Sequence, residues 1–426
     1  MAAYDTSEIA PKYHKAIVDW QKRYFPELAT LEKYWGTYFG KQTPFALVSK
    51  VGKLRSEHIS VGRYKGEKYF EQASEMSGNM FFSAQGIVKA QCSTELGSIQ
   101  QHRMSIDKAV NDEMKYGILR IMAEELRHAY QMFWVLEHDA TWQRAGMGDV
   151  ADEMIQELLA LETGHHVLDA FNMQMVSFLD NTMFATIIDL VGKYQLDMQS
   201  VFAYAPMARS MGPMLSEEGF HLGHGRKSVR TIAVMAADGK GDFSVRDIQV
   251  HLNKWLPRGL EMFGNEKGGG TNVEFGFKDR TNVEAQTQYF DEVRSVVRDW
   301  SCAMIQQVYK PGVAYEEAGQ IVDRIWETGD DVQGIRPERI LYTPDRKFFR
   351  KRGLAEFVFK PFDAHGTLLT GAGGLPISCD DYVTYLRGEL PQAFESDPEW
   401  QKFEAQLREY HGQGGQGDVH GASYSG

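Results

Sequence analysis

Four carboxylates and two imidazoles recur in this chain at a spacing that would let them share two metal ions. Glu95 is followed thirty residues later by Glu125-Leu-Arg-His128, and Asp189 twenty-nine residues later by Glu218-Gly-Phe-His221. Each copy reads as a carboxylate on one helix and Glu-x-x-His on the next. At i and i+3 the Glu and the His share a helix face, so both reach one inward-facing site. A span of about 30 residues is one long helix, a turn and a return to the same depth, at 1.5 Å rise per residue. A four-helix bundle holding two metal ions uses this set: one carboxylate from each of two helices, and Glu-x-x-His from each of the other two. Two divalent ions would neutralise the four carboxylates and so reduce the cost of burying them.

Carboxylate-rich ligation with two imidazoles suits iron or manganese, whereas structural zinc prefers Cys and His in a closed tetrahedron. Six protein ligands shared by two ions leave positions open for O2. A reduced di-iron pair can give O2 two electrons, with the protein supplying position, exclusion of water and tuning by surrounding groups. Gln91 lies one turn before Glu95 on the same face. Its amide is the candidate catalytic group, able to donate to bound oxygen or to a substrate carbonyl; the plainer reading is a polar helix residue. Glu124 is rotated about 100° from Glu125, which predicts a solvated group or one behind the ligands. Radical storage would call for a tyrosine one turn after the first Glu-x-x-His, but that position is Met132, and Tyr130 is rotated away. A third match, Glu162-Thr-Gly-His165 followed by His166, has no acidic partner on a helix of its own. It reads as support for the bundle through hydrogen bonds or helix-end charge.

The elements that must position these groups follow from apolar periodicity. Helices are predicted over about 76–103, 107–138, 150–178, 180–204, 211–237 and 281–309, with a Gly-Met-Gly turn at 146–148. Pro213 and the glycines 219, 223 and 225 would loosen the last ligand helix. The expected fold is mainly α: a ferritin-like four-helix bundle with a two-metal site, additional helices and a small C-terminal region with short strands. The expected division is an aromatic-rich helical cap over 1–75, the bundle with flanking helices over 76–310, and a C-terminal extension over 311–426. In that extension 354–362 and 367–369 read as strands around Asp363-Ala-His-Gly366, and the Gly- and Ser-rich tail from Gly412 reads as disordered. Gly264–Thr271 is a turn-rich loop with no Gly-Lys-Ser/Thr ending and no preceding strand, which excludes a P-loop.

Composition narrows the function classes. The chain has 426 residues, 43% of them hydrophobic, and a formal net charge of −12. Such a balance argues against nucleic-acid binding, which needs a basic footprint. Cys92, Cys302 and Cys379 form no Cys-x-x-Cys, so no disulfide framework is expected and a reducing cytoplasm is the expected setting. The N-terminus, Met-Ala-Ala-Tyr-Asp, shows no signal-peptide pattern, and no run of 18 or more apolar residues predicts a membrane span. One basic cluster, Arg346-Lys-Phe-Phe-Arg-Lys-Arg352, could hold the phosphates of a coenzyme A ester. A solvated strand edge is the ordinary reading of such a cluster.

The ligand order, with Asp as the third carboxylate, resembles that of the ferritin-like di-iron oxygenases that epoxidise aryl-CoA thioesters. These include the benzoyl-CoA epoxidase oxygenase component and the phenylacetyl-CoA epoxidase catalytic subunit. The segment Met214–Gly223 and the pair Asp345–Gly353 and Asp363–Gly366 are similar too. The resemblance implies an O2-dependent enzyme with two iron ions held by Glu95, Glu125, His128, Asp189, Glu218 and His221, and an active-site amide at Gln91. It also implies electrons from a separate NADPH-dependent flavin and iron–sulfur reductase; the chain has no cysteine cluster or dinucleotide fingerprint of its own. Two readings compete. A ferritin-type protein would oxidise or handle iron without an organic substrate, but about 190 residues follow residue 237 and storage needs little beyond the bundle. A non-catalytic subunit with a remnant bundle fits poorly with six ligands present.

Overall fold

The protein is described from a computed structural model, covering residues 4–143, 149–264 and 270–343 together with Gln401 and Ala405. The turn at 146–148, most of the loop after Gly264, the basic cluster Arg346–Arg352, the C-terminal strands, Asp363–Gly366 and the tail from Gly412 lie outside the described residues. The chain divides into two compact units, Met1–Ser228 with Asn265–Tyr289, and Val229–Gly264 with Phe290–Gly426.

The fold is mainly α, as expected. In chain order the elements are strand β1 (Asp5–Ser7), helices α1 (Pro11–Tyr24) and α2 (Leu28–Phe39), and strand β2 (Ser49–Val51). Then come α3 (Gly78–Arg103), α4 (Asp112–Glu137), α5 (Val150–Ala160), α6 (Phe178–Met183), α7 (Asp189–Gln199) and α8 (Ala205–Ala237). The remaining helices are α9 (Val245–Glu261), α10 (Gly270–Glu274), α11 (Asn282–Met304) and α12 (Tyr315–Thr328). Helices α3, α4, α6–α7 and α8 form the bundle that supplies the predicted ligands. No helix of the described residues is long and apolar enough to cross a membrane.

Helix α4 is the central member. The Asn111 side chain accepts from Met114 N at the N-cap, and Asp112 and Glu113 sit in the first turn, where they complement the helix dipole. From Gly117 to Leu136 nearly every residue is buried, which marks a helix surrounded on all sides. In the second unit, Ile321, Val322 and Ile325 of α12 pack with Cys302, Ile305, Ile335 and Ile340 in a separate apolar cluster.

Three expectations about the elements are corrected. The helix expected over 150–178 ends at Ala160. Residues 161–177 instead cross α3, whose polar side chains satisfy their backbone: Gln100 binds Leu161 O and Thr163 N, and Gln101 binds Ala170 O and Met173 O. The helix expected over 180–204 contains a π-turn, Phe184–Ile188, directly before Asp189. Helix α8 begins at Ala205 and runs unbroken through Pro213.

Proline at 213 has no N–H to offer the carbonyl four residues earlier, a loss that ordinarily kinks a helix. Here Gly52 N, just beyond β2, donates to Arg209 O at 3.0 Å and fills the vacant acceptor. A Cβ on residue 52 would sit 2.9 Å from that oxygen and 3.1 Å from Pro213 Cδ. β2 is thereby pinned to the bundle. It pairs antiparallel with β1, and Lys50 N donates to Gln131 Oε1 of α4 at 2.6 Å. Gly52→Val is expected to lower stability by about 1–3 kcal/mol, the usual cost of overpacking. Thermal denaturation checks this; an unchanged melting temperature would contradict it.

Candidate metal centre

Each predicted ligand comes from a different point of the bundle, and the structure brings all six together. Glu95 comes from α3, Glu125 and His128 from α4, Asp189 from the first position of α7, and Glu218 and His221 from α8. All are buried, none more than 7% exposed. Glu218 faces both imidazoles. Its Oε1 lies 3.8 Å from His128 Nδ1 and its Oε2 3.4 Å from His221 Nδ1. Glu95 Oε2 lies 3.4 Å from His128 Nδ1, and Asp189 Oδ2 lies 3.8 Å from His221 Nδ1. Ligand atoms of Glu125, Asp189 and His221 all fall within 4.8 Å of one another, a group able to hold a metal ion.

These separations leave the converging atoms without hydrogen bonds. Glu125 Oε2, His128 Nδ1, Asp189 Oδ2, Glu218 Oε2 and His221 Nδ1 are buried and have no partner among the described residues. Buried polar atoms are ordinarily paired, and five orphans pointing into one space fit a metal pair. The donor set, four carboxylates and two imidazoles, suits iron or manganese.

The far side of each imidazole fixes which nitrogen is free. His128 Nε2 is 3.0 Å from Glu217 Oε2, and His221 Nε2 is 3.2 Å from Glu124 Oε2. In the neutral ring each Nε2–H donates to its carboxylate, and the Nδ1 lone pair is directed into the site. The arrangement is reciprocal, because the carboxylate preceding each motif's Glu orients the other motif's His. Glu217 is balanced by Arg127 and by Lys50 Nζ at 2.6 Å. Glu124 is balanced by Arg120 at 3.0 Å, whose guanidinium lies 3.8 Å from the centre of the Phe220 ring. Spacing along the sequence does not single out Glu217, Arg120, Arg127 or Lys50, and leaves Glu124 either solvated or behind the ligands. The available signal was that both motifs are Glu-Glu-x-x-His, at 124–128 and 217–221.

Gln91 donates from Nε2 to Glu95 Oε1 and is half-buried. Its amide is thus directed to a carboxylate rather than free in the site. The third motif stays outside the carboxylate cluster. Glu162 is exposed and accepts from Tyr24 at 2.7 Å, and His165 is exposed. His166 Nδ1 accepts from Leu168 N at 2.9 Å, and its Nε2 is 2.9 Å from Ser93 Oγ.

Packing four carboxylates together shifts their protonation. Burial, with Asp189 and Glu95 adding repulsion, pushes Glu125 well above the usual carboxylate range. Burial and the Glu218 charge do the same to Asp189. Burial opposes a charged His128, but Glu95 and Glu217 outweigh it and raise its pKa to about 9. Against the same burial, Glu218 and Glu124 raise His221. Ligands must be deprotonated to bind metal. The proton that His128 holds at neutral pH is therefore released on metal uptake, and affinity is expected to rise with pH up to about 9. Proton release into weakly buffered solution on adding Fe²⁺ or Mn²⁺ anaerobically measures this. Uptake without proton release, or affinity flat between pH 6 and 9, would contradict it.

Fold and site together define a helical bundle of the phenylacetic acid catabolic protein family: the family model matches residues 113–325, half of the chain, and the chain belongs to that family. The matched region contains Glu125, His128, Asp189, Glu218 and His221. Among individual proteins, the chain is similar to benzoyl-CoA oxygenase component B of Aromatoleum evansii, at 29% identity over 242 residues. That alignment covers 53% of this chain and 50% of the relative, so the chain spans about half the length of the relative it matches. The resemblance read from the ligand order is borne out at this level.

Proposed function

We propose that the protein is a di-iron oxygenase that uses O2 to oxygenate the ring of an aryl-CoA thioester, with two electrons supplied by a separate reductase. One oxygen atom would enter the ring, as an epoxide or hydroxyl, and the other would leave as water. The observation that supports this most is the pair of imidazole Nδ1 atoms, each facing one oxygen of Glu218 inside a buried shell of carboxylates. The relative's name, a CoA-ester oxygenase component, supports the substrate class and the need for partner components.

Glu95, Glu125 and His128 would hold one iron, and Asp189, His221 and Glu125 the other, with Glu218 shared. When bound, the reduced pair supplies the electrons that activate O2. The chain's own groups set the conditions. Glu124 and Glu217 keep both imidazoles in the ligating tautomer. Burial of all six ligands keeps water from competing. Gln91 would orient Glu95 by donating to its Oε1, and its remaining amide N–H would be the group left for a substrate carbonyl.

The test is O2 consumption by iron-loaded protein under a chemical reductant, with and without benzoyl-CoA. The proposal expects uptake that depends on the thioester and yields an oxygenated CoA product. Uptake driven by Fe²⁺ alone and indifferent to thioester would favour an iron-oxidising protein instead.

A further inference from the structure

Asp189 owes its place to the π-turn before it. Its own N–H closes that turn by donating to Phe184 O, five residues back. A π-turn fits one extra residue into the helix, and such turns occur frequently at functional sites. At the start of the turn, Phe184 N–H is shared between Asp180 O and Asn181 O, where the α pattern gives way.

Two neighbouring helices grip this segment. From α8, Gly225 approaches so closely that a Cβ would lie 2.7 Å from Thr186 Oγ1 and 2.8 Å from Ala185 O. From α3, His102 Nδ1 is 2.7 Å from Asn181 Oδ1, and the Asn181 amide donates to Ser105 Oγ. The His102 ring stands edge-on to Phe184, with centroids 4.9 Å apart and planes at 73°. His102, Ser105 and Asn181 are all buried. With the Asn181 amide committed to Ser105, its Oδ1 is the acceptor and His102 Nδ1–H the donor. His102 Nε2 is left buried without a partner. Burial pushes the His102 pKa down to about 4, so the ring is a neutral donor at working pH. A leucine would fill the same volume with no unsatisfied nitrogen, so what the imidazole adds is the bond to Asn181.

His102 lies seven residues, about two turns, beyond Glu95 and so shares its inward face. We propose that His102, acting through Asn181, is a positioning residue: it fixes the register of the π-turn and so holds Asp189 at the site from the helix that carries Glu95. The inference rests on the two-metal reading and adds a residue to its supporting structure.

The test compares wild type, His102→Leu and His102→Asn, reading metal stoichiometry and affinity with helical circular dichroism as a control for folding. Asparagine keeps a donor near the Nδ1 position, and leucine does not. His102→Leu is expected to stay helical but to bind the ion facing Asp189 at least about 10-fold more weakly, within the range for groups that orient ligands. Its metal content after gel filtration should fall toward one ion per chain, while His102→Asn retains both. Should His102→Leu fail to fold, Asn181→Ala breaks the same bond with the imidazole in place and is expected to show the same loss. Two ions bound with wild-type affinity in the folded His102→Leu or Asn181→Ala variant would overturn the inference. A wild-type chain that binds no metal would overturn the two-metal reading itself, and this inference with it.

Discussion

Replacing Glu218 by alanine is expected to abolish retention of both metal ions while leaving the helical fold intact. The two oxygens of this carboxylate face different imidazoles, at 3.8 Å and 3.4 Å, so its loss removes a ligand from both ions at once. Loss of a group that merely orients a ligand costs about 10–100-fold in affinity. Loss of a shared ligand is expected to exceed about 100-fold for each ion. Glu95 gives the contrast, since its contact is with His128. Glu95→Ala should weaken one ion and spare the other. Elemental analysis after gel filtration distinguishes the cases. Equal metal content in wild type and Glu218→Ala would contradict the assignment of a shared carboxylate.

The second large effect has the opposite sign for stability. Glu125 is buried beside Asp189 and Glu95, and burial with that repulsion raises its pKa well above the usual range. In the metal-free protein at pH 7 this carboxyl therefore works against folding. Glu125→Gln keeps the shape and removes the charge. It is expected to stabilise the metal-free protein by at least about 1 kcal/mol, because a tenfold change in proton affinity corresponds to about 1.4 kcal/mol. Metal binding should weaken sharply in the same variant. A carboxyl with a raised folded pKa carries no penalty below its unfolded value, near 4.3, and an increasing one as pH rises above it. The gain should be present at pH 7 and gone near pH 4. Chemical denaturation at both pH values measures it. A Glu125→Gln variant less stable than wild type in the metal-free state at pH 7 would contradict the picture of a crowded anionic site completed by metal.

How far the sequence reveals this molecule depends on how local each cause is. Two ions need carboxylates and imidazoles at matched depths on four helices, and that demand leaves a spacing visible in Glu95, Glu125, His128, Asp189, Glu218 and His221. The roles of Glu124 and Glu217 depend on how two helices face each other. A 100° rotation from the ligand points away from one's own imidazole but toward the neighbour's, which periodicity along one helix cannot show. The π-turn is hidden for a similar reason. Phe184, Ala185, Thr186, Ile187 and Ile188 are all buried, so an added residue disturbs no alternation of apolar and polar positions.

Residues 161–177 and Pro213 illustrate compensation from a distance. The first segment gives up helix because Gln100 and Gln101, on a helix far earlier in the chain, satisfy its backbone. The second tolerates a proline because Gly52 supplies the missing donor. Local propensity is a weak prior wherever tertiary partners meet backbone demands.

Metal content per chain tests the central claim most directly, measured on protein from iron-replete cells and again after anaerobic reconstitution with Fe²⁺. The account predicts about two irons per chain, the number a bundle with this ligand set holds, in wild type and none retained in Glu218→Ala. Wild-type protein that holds no iron under either condition would contradict it.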